Sequence, residues 1–466
     1  MPSFRAELTR RNSTLMLRSL FARWSSWRAR MMCALFAAMS PLTAPQLAVA
    51  QTAASSAPAQ IAIRAGRFID TERGEVLRDQ VILVRGERIE RIGPSAKTAI
   101  PKGAKVIDLS RATVLPGLID CHTHLVGDEE DAGILAPLTR SAAQDAFLGV
   151  AHARATLLAG FTTVRDVGTY RAFIDIALRD AINDGVVPGP RMSVSGPYIT
   201  VSGGGGEVTG TATDVTLPPE MRAGVANSAD EVRQRVREIM HGGADMIKII
   251  ATGAVLAAGT EPGAPEYSEA EIKAAVDEAA LYGTYVAAHA HGAEGIKRAV
   301  RAGVRSIEHG SLIDDEGIAL MKERGTYLVA DIYNGDYIAK EGREAGLPEE
   351  VMRKNDETTD AQRAGFRKAL AAGVKIAYGT DASVYPNGQN ARQLPYMVRF
   401  GMSPMQAIQS ATIVAARLLK WEDRVGSLAT GKYADIIAVD GDALANLDAF
   451  MKPSFVMKGG TIYTAR

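Results

Sequence analysis

The stretch Val114-Leu-Pro-Gly-Leu-Ile-Asp-Cys-His-Thr-His124 is an apolar run that ends in two histidines. Side chains alternate along a strand, so His122 and His124 point the same way, about 6–7 Å apart. That spacing lets both imidazoles reach one metal ion, and imidazole suits zinc and related divalent cations. An H-x-H triplet alone is common. Its weight comes from the rest of the chain, where Lys248, His289, His291, His309 and Asp381 each stand at or near the end of another apolar run.

Those runs number eight: 114–124, 162–166, 191–195, 246–250, 285–289, 306–309, 326–331 and 375–381. Stretches with helical apolar periodicity separate them. Ala270–Tyr282 stops at Gly283 and Ile296–Ala302 at Gly303, glycine being the usual residue past a last helical turn. Eight strand–helix units predict an α/β chain whose centre, residues 114–429, is a (β/α)8 TIM barrel. Such a barrel gathers its chemistry at the C-terminal ends of its strands. On either side the pattern changes to short alternating strands with turn residues, over 61–113 and again over 430–466. Neither piece is long enough to bury a core alone, so the two termini are expected to pair into one small β-sandwich domain.

Residues 1–50 read as an export signal. Seven arginines precede the apolar Met31–Met39, and Ala48-Val-Ala50 offers a small-residue cleavage site before Gln51. The Ala- and Ser-rich 51–60 reads as a linker. Removing the leader's seven arginines and one glutamate from totals of 53 basic and 53 acidic residues leaves 46 and 52, a net charge of −6. That balance argues against nucleic-acid partners and against stable membrane association after cleavage. Localisation is expected to be exported, periplasmic or secreted. Of two cysteines, Cys33 lies in the leader, so Cys121 has no intrachain disulfide partner and reads as a packing residue.

The polar residues ending the runs carry the chemistry. Lys248 sits inside Met246-Ile-Lys-Ile-Ile250, where an unpaired ammonium is costly and burial lowers its pKa. A neutral amine there can add carbon dioxide and become a carbamate, an anionic ligand able to bridge two metals. The bland alternative is a lysine paired with a carboxylate across the barrel. His289-Ala-His291 repeats the same-face geometry of the first pair. Asp381, in Tyr378-Gly-Thr-Asp381, can bind a metal and also accept a proton from bound water. His152 and His241 lie in helical stretches away from the strand ends and read as structural.

Seven segments together resemble the amidohydrolase superfamily, in the branch with two metals and a carboxylated lysine. They are Pro116-Gly-Leu-Ile-Asp-Cys-His-Thr-His124, Gly160-Phe-Thr-Thr-Val-Arg-Asp166, Met246-Ile-Lys248, His289-Ala-His-Gly292, Ser306-Ile-Glu-His-Gly310, Tyr378-Gly-Thr-Asp381 and Gly426-Ser-Leu-Ala-Thr-Gly-Lys-Tyr-Ala-Asp-Ile436. The likeness covers about residues 60–466 and is nearest the Xaa-Pro dipeptidase-like and N-acyl-amino-acid carboxypeptidase group, which includes ochratoxin-hydrolysing amidases. It implies that His122, His124 and Asp381 hold one divalent metal, expected to be zinc, and that His289 and His309 hold a second. Lys248, as N6-carboxylysine, bridges them. His291 faces the substrate.

The implied activity is release of a C-terminal amino acid from dipeptides or N-acyl amino acids by a metal-bridging hydroxide. Asp381 passes the proton to the leaving amine, and His291 helps polarise the carbonyl. The partners implied are a small-molecule or short-peptide substrate and further copies of the same chain. Where relatives often carry Gly-Gly-His-Gly, this chain has Gly203-Gly-Gly-Gly206, with Gly205 at the histidine's place. Gly204 and Gly205 are expected to approach the substrate through backbone amides, and Tyr333 and Ser383 to shape the pocket. Two alternatives stand beside this reading: a cyclic-amide hydrolase or deaminase, for which Glu308 beside His309 is the one argument, and a metal-binding scaffold without catalysis.

Overall fold

Gly117 divides the Val114–His124 run between two sheets. Its amide donates to the Asp435 carbonyl (2.9 Å), and a Cβ there would lie 2.0 Å from Thr162 Oγ1, so no larger residue fits. The structure is a computed structural model, and it describes residues 60–127, 136–212 and 214–465. The expected leader, 1–50, and nearly all of the 51–60 linker lie outside the described residues. Among the described residues no helix is long and apolar enough to cross a membrane.

Before Gly117 come β1 (Gln60–Asp70), β2 (Glu75–Arg85), β3 (Arg88–Pro94) and β4 (Lys105–Pro116). They join strands from the far end of the chain in one seven-stranded sheet. Antiparallel pairing of Ile436–Asp440 with the end of β4, from Ile436↔Pro116 to Asp440↔Ala112, makes the junction. Phe455–Lys458 and Thr461–Ala465 complete the sheet. Its other edge folds back, because Arg88 bridges to Tyr433 just before the junction strand. One apolar core results, with Ile63, Ile82, Val114, Ile436 and Phe455 from both termini all 0% exposed. The alternating pattern of these strands thus finds its buried face only when the two ends meet.

After Gly117 the chain runs through β5 (Leu118–Thr123), β6 (Phe161–Asp166), β7 (Arg191–Val194), β8 (Ile247–Ile250), β9 (Val286–Gly292), β10 (Ser306–Leu312) and β11 (Tyr327–Val329). These strands pair in parallel within two groups, β5–β6–β7 and β8–β9–β10–β11. Ile199, just past β7, bridges in parallel to Ile249 of β8. The eighth member is the segment 376–382, which bridges to β11 at Leu328↔Ile376 and to β5 at Thr123↔Ala382. These bridges close the ring as a (β/α)8 barrel. Helices pack outside it with the stops expected: Glu269–Leu281, opened by a Ser268/Glu271 capping box, is followed by Gly283 (φ 72°), and Ala293–Ala302 ends at Gly303 (φ 97°).

Candidate metal centre

Five histidines, Lys248 and Asp381 line one open-mouthed cavity of about 850 Å³ at the C-terminal ends of the barrel strands. Ligand atoms of His122, His124 and Asp381 lie within 4.8 Å of one another, and so do those of His289, His291 and His309. A third group, His309, Asp331 and Asp381, links the two. Asp381 Oδ1 stands 3.3 Å from His122 Nε2 and 3.2 Å from His124 Nε2. His309 (φ 67°) and Asp381 (φ 56°) both adopt the left-handed backbone region, which non-glycine residues enter at a cost and which clusters at functional sites.

Each imidazole is held by one nitrogen, which leaves a lone pair or N–H on the other. His122 Nδ1 meets Glu308 (3.0 Å), His124 Nδ1 the Gly168 carbonyl (2.9 Å), and His309 Nδ1 Asp331 (3.0 Å). His289 uses Nε2, facing the Gly253 carbonyl at 3.2 Å, and His291 Nδ1 faces the Ser311 hydroxyl at 2.7 Å. Such outer partners fix ring orientation and tautomer, as metal-ligating histidines require. The Tyr198 hydroxyl adds to the clamp on His124 (3.1 Å). Its ring comes so close to Gly168 (φ 138°) that a Cβ there would meet it at 2.2 Å.

The electrostatics follow from burial. Burial, then the neighbouring His309, drives His291 down to about 3, so this ring is neutral at pH 7. Burial and the His309 and His291 neighbours likewise hold His289 well below its ordinary value. Burial lowers His124 too, but the adjoining Asp381 carboxylate outweighs it and raises the ring to about 9. Against its own burial, Asp381 is held well below the usual carboxylate range by His122 and His124. Lys248 is 2% exposed, and burial brings its ammonium down to about 8. Among the described residues it has neither a hydrogen-bond nor an ion-pair partner. The carboxylates of Glu308, Asp381 and Asp331 act on it only through space, without the direct contact that a structural lysine makes.

Glu308 is engaged elsewhere. Both its oxygens accept from Arg165 Nη2 at 2.8 Å, and Arg165 also donates to the Cys121 carbonyl (2.6 Å) and Ser306 Oγ (2.9 Å). Arg165 and Glu308 are both 0% exposed. Replacing Arg165 with Met strands the buried carboxylate behind His122. Loss of one partner of a buried pair costs about 3–5 kcal/mol. Urea denaturation is the check, and a loss under about 1 kcal/mol would show that the pair is dispensable.

Three pocket expectations change. The Gly-rich loop offers no free amides: Gly205 N–H donates to Glu266 (2.9 Å), Gly206 N–H to Thr200 Oγ1 (3.2 Å) and Gly204 N–H to the Val201 carbonyl (3.0 Å). Gly205 and Gly206 line the cavity, whereas Gly204 does not. Tyr333 packs with Tyr385 and Tyr396 (ring centroids 5.0 and 5.1 Å) and opens onto a separate cavity. Ser383 is also absent from the lining, where Val384 stands instead. Sequence reasoning missed Tyr198, Ser311, Asn334 and Gln362, which touch His124, His291, Asp381 and Asp331. Only Ser311 had a signal, at i+2 from a strand-end histidine. His152 and Cys121 are structural, the first bonded to the Leu125 carbonyl and the second buried.

The amidohydrolase family model matches residues 113–463. This chain belongs to the amidohydrolase family. Ochratoxinase of Aspergillus niger is 33% identical over 427 residues, 86% of each chain. A crystal structure of an Xaa-Pro dipeptidase with methionine bound in its active site is 40% identical, with a TM-score of 0.82 over 87% of this chain and 100% of that one. A prolidase complexed with N-methylphosphonate-L-proline is 32% identical, with a TM-score of 0.80 over the same shares. Amidohydrolases generally bind divalent metals, and the two histidine-rich groups here are candidate sites for them. The amidohydrolase assignment makes the chain a hydrolase.

Proposed function

We propose that this amidohydrolase is a two-metal exopeptidase-like enzyme that releases a C-terminal amino acid from dipeptides or N-acyl amino acids. The observation that carries the reading is the pair of adjoining ligand groups, His122/His124/Asp381 and His289/His309, with a buried and partnerless Lys248 in the same cavity. His122, His124 and Asp381 would hold one divalent cation, zinc by preference of the donors, and His289 and His309 the other. Lys248 would serve both as a carbamate: its neutral amine adds carbon dioxide and loses a proton, leaving an anionic oxygen donor. Bound there, divalent cations supply Lewis acidity, which polarises a carbonyl and brings water's pKa towards neutrality.

The chain's own groups do the rest. Asp381 is ionised at neutral pH and faces the cavity, so its carboxylate takes a proton from the attacking water and returns it to the departing nitrogen. His291 is neutral. With Nδ1 accepting the Ser311 hydroxyl proton, its Nε2–H donates to the carbonyl oxygen as negative charge develops there. The amide C–N bond breaks, and a carboxylate and a free amino acid leave. The relatives named ochratoxinase, Xaa-Pro dipeptidase and prolidase support an amide whose leaving group is an amino acid. Glu308, the one argument for the deaminase alternative, is engaged by Arg165 and His122.

The test is amino-acid release by the purified, zinc-loaded protein from a panel of N-acyl amino acids and dipeptides, including Xaa-Pro. Release should stop with chelator and return with zinc. No release from any member, with two metals bound per chain, refutes the reading.

A further inference from the structure

The cavity has a second half that takes no part in holding metal. All its charged lining side chains among the described residues, Lys248, Asp331 and Asp381, belong to the histidine cluster. Away from that cluster the wall is apolar. Leu256, Ile338 and Val384 line it and form one hydrophobic cluster backed by Met352, which is 3% exposed. They come from three places: the loop after β8, the helix Asn334–Glu341, and the turn that follows Asp381.

The loop that carries Leu256 is fastened rather than free. Lys354, itself 0% exposed, donates to the Ala257 carbonyl at 2.9 Å, and Gly259 N–H donates to Glu350 at 3.0 Å. Arg353 pairs with Glu261 at 2.7 Å, and Thr260 Oγ1 donates to the Ala257 carbonyl at 3.1 Å. The neutral polar residues beside the wall are also occupied. Asn355 donates to the Gly335 carbonyl (3.0 Å), Thr358 to the Lys354 carbonyl (2.7 Å) and Thr359 to the Asn355 carbonyl (2.7 Å). A charged side chain placed here would lose its water and meet no opposite charge on this wall; beside it Asn334 Oδ1, buried without a hydrogen-bond partner, offers only a neutral acceptor. An apolar one would lose water at a gain.

We infer that the Leu256–Ile338–Val384 wall receives an uncharged, apolar side chain of a substrate residue flanking the scissile amide. The enzyme then selects leucine-, methionine- or phenylalanine-like residues against aspartate and lysine. This rests on the amide-hydrolase reading above. Val384 follows Asp381 in the same turn, and all three wall residues line one cavity with Asp381, so the selected residue adjoins the reacting bond rather than a distant end of a longer substrate.

The experiment uses the zinc-loaded protein and two substrate series, in which the residue on either side of the amide is varied among Leu, Met, Phe, Asp and Lys. At one of the two positions kcat/KM should favour apolar over charged residues by at least about 10-fold, the least that a single methylene group is worth in an apolar pocket. At that same position Leu256→Glu should lower the rate with Leu and raise it with Lys. Equal or faster release of Asp or Lys substrates at both positions overturns the wall while leaving the amidase intact. No release from any substrate withdraws the amide reading and the wall with it. If Leu256→Glu does not fold, Leu256→Ala replaces it: preference should move towards Phe, and an unchanged profile overturns the inference.

Discussion

Replacing Asp381 with Asn is expected to lower kcat by about 10²–10⁴-fold, the usual worth of a positioned general base. Asparagine keeps the shape of the side chain and its contact with Asn334, but it cannot take a proton at neutral pH. It also removes the charge that faces His122 Nε2 at 3.3 Å and His124 Nε2 at 3.2 Å. Two effects are therefore folded together, loss of a base and a weakened ligand group. Assay at saturating zinc separates them. A kcat that stays low with two metals per chain identifies the proton transfer, whereas full recovery on adding zinc leaves Asp381 a ligand only. A kcat within tenfold of the wild type without added metal contradicts both roles. The barrel should survive, because β5 and the 376–382 segment are joined by backbone bonds, Cys121 N–H to the Tyr378 carbonyl at 2.8 Å and His124 N–H to the Ala382 carbonyl at 3.0 Å.

Lys248→Ala is expected to take bound metal from two ions per chain to one or none and to remove most activity. Its special property is a buried amine without a partner. With the ammonium brought down by burial to about 8, roughly a tenth of it is neutral at pH 7 and open to carbon dioxide. A short carboxylic acid such as propionate, entering the space left by the side chain, should restore part of the activity in Lys248→Ala and none in Asp381→Asn. Unchanged two-metal content in Lys248→Ala would eliminate the bridging role. The metal-free protein offers an independent readout. The folded lysine titrates near 8 against an ordinary 10.5, so between those values the unfolded chain binds more protons. Stability of the metal-free wild type should therefore rise with pH across that window. Lys248→Ala should lack this rise, so the stability of the wild type relative to the variant should climb from about pH 8 to about 10.5 and level off outside that window.

These two residues were legible because their signal is local. A donor that ends an apolar run in an α/β chain is placed by strand geometry at the mouth of a barrel, whatever lies around it. His122, His124, Lys248, His289, His291, His309 and Asp381 all meet that description, and all seven line the one cavity. Helix stops at Gly283 and Gly303 were legible for the same reason, since a left-handed residue after the last turn is a local demand. The pocket residues were not. Tyr333 follows Asp331 by only two positions, yet its ring turns to Tyr385 and Tyr396 in a different cavity. Gly205 reads as an open amide until Glu266, 61 residues later, is found accepting from it.

Sequence by itself determined the barrel, the order of its strands, the donors at their ends and the pairing of the two termini. Alternation, run length and turn chemistry act over a few residues and leave little room for another answer. Tertiary structure alone decided which second group holds each ring. Glu308 reaches His122 across 186 residues, Arg165 reaches Glu308 across 143, and Tyr198 reaches His124 across 74. It also decided that Lys248 has no hydrogen-bond or ion-pair contact among the described residues and that the cavity's far wall is apolar. Those properties depend on what is missing from a neighbourhood as much as on what is present, and a neighbourhood exists only once the barrel has closed.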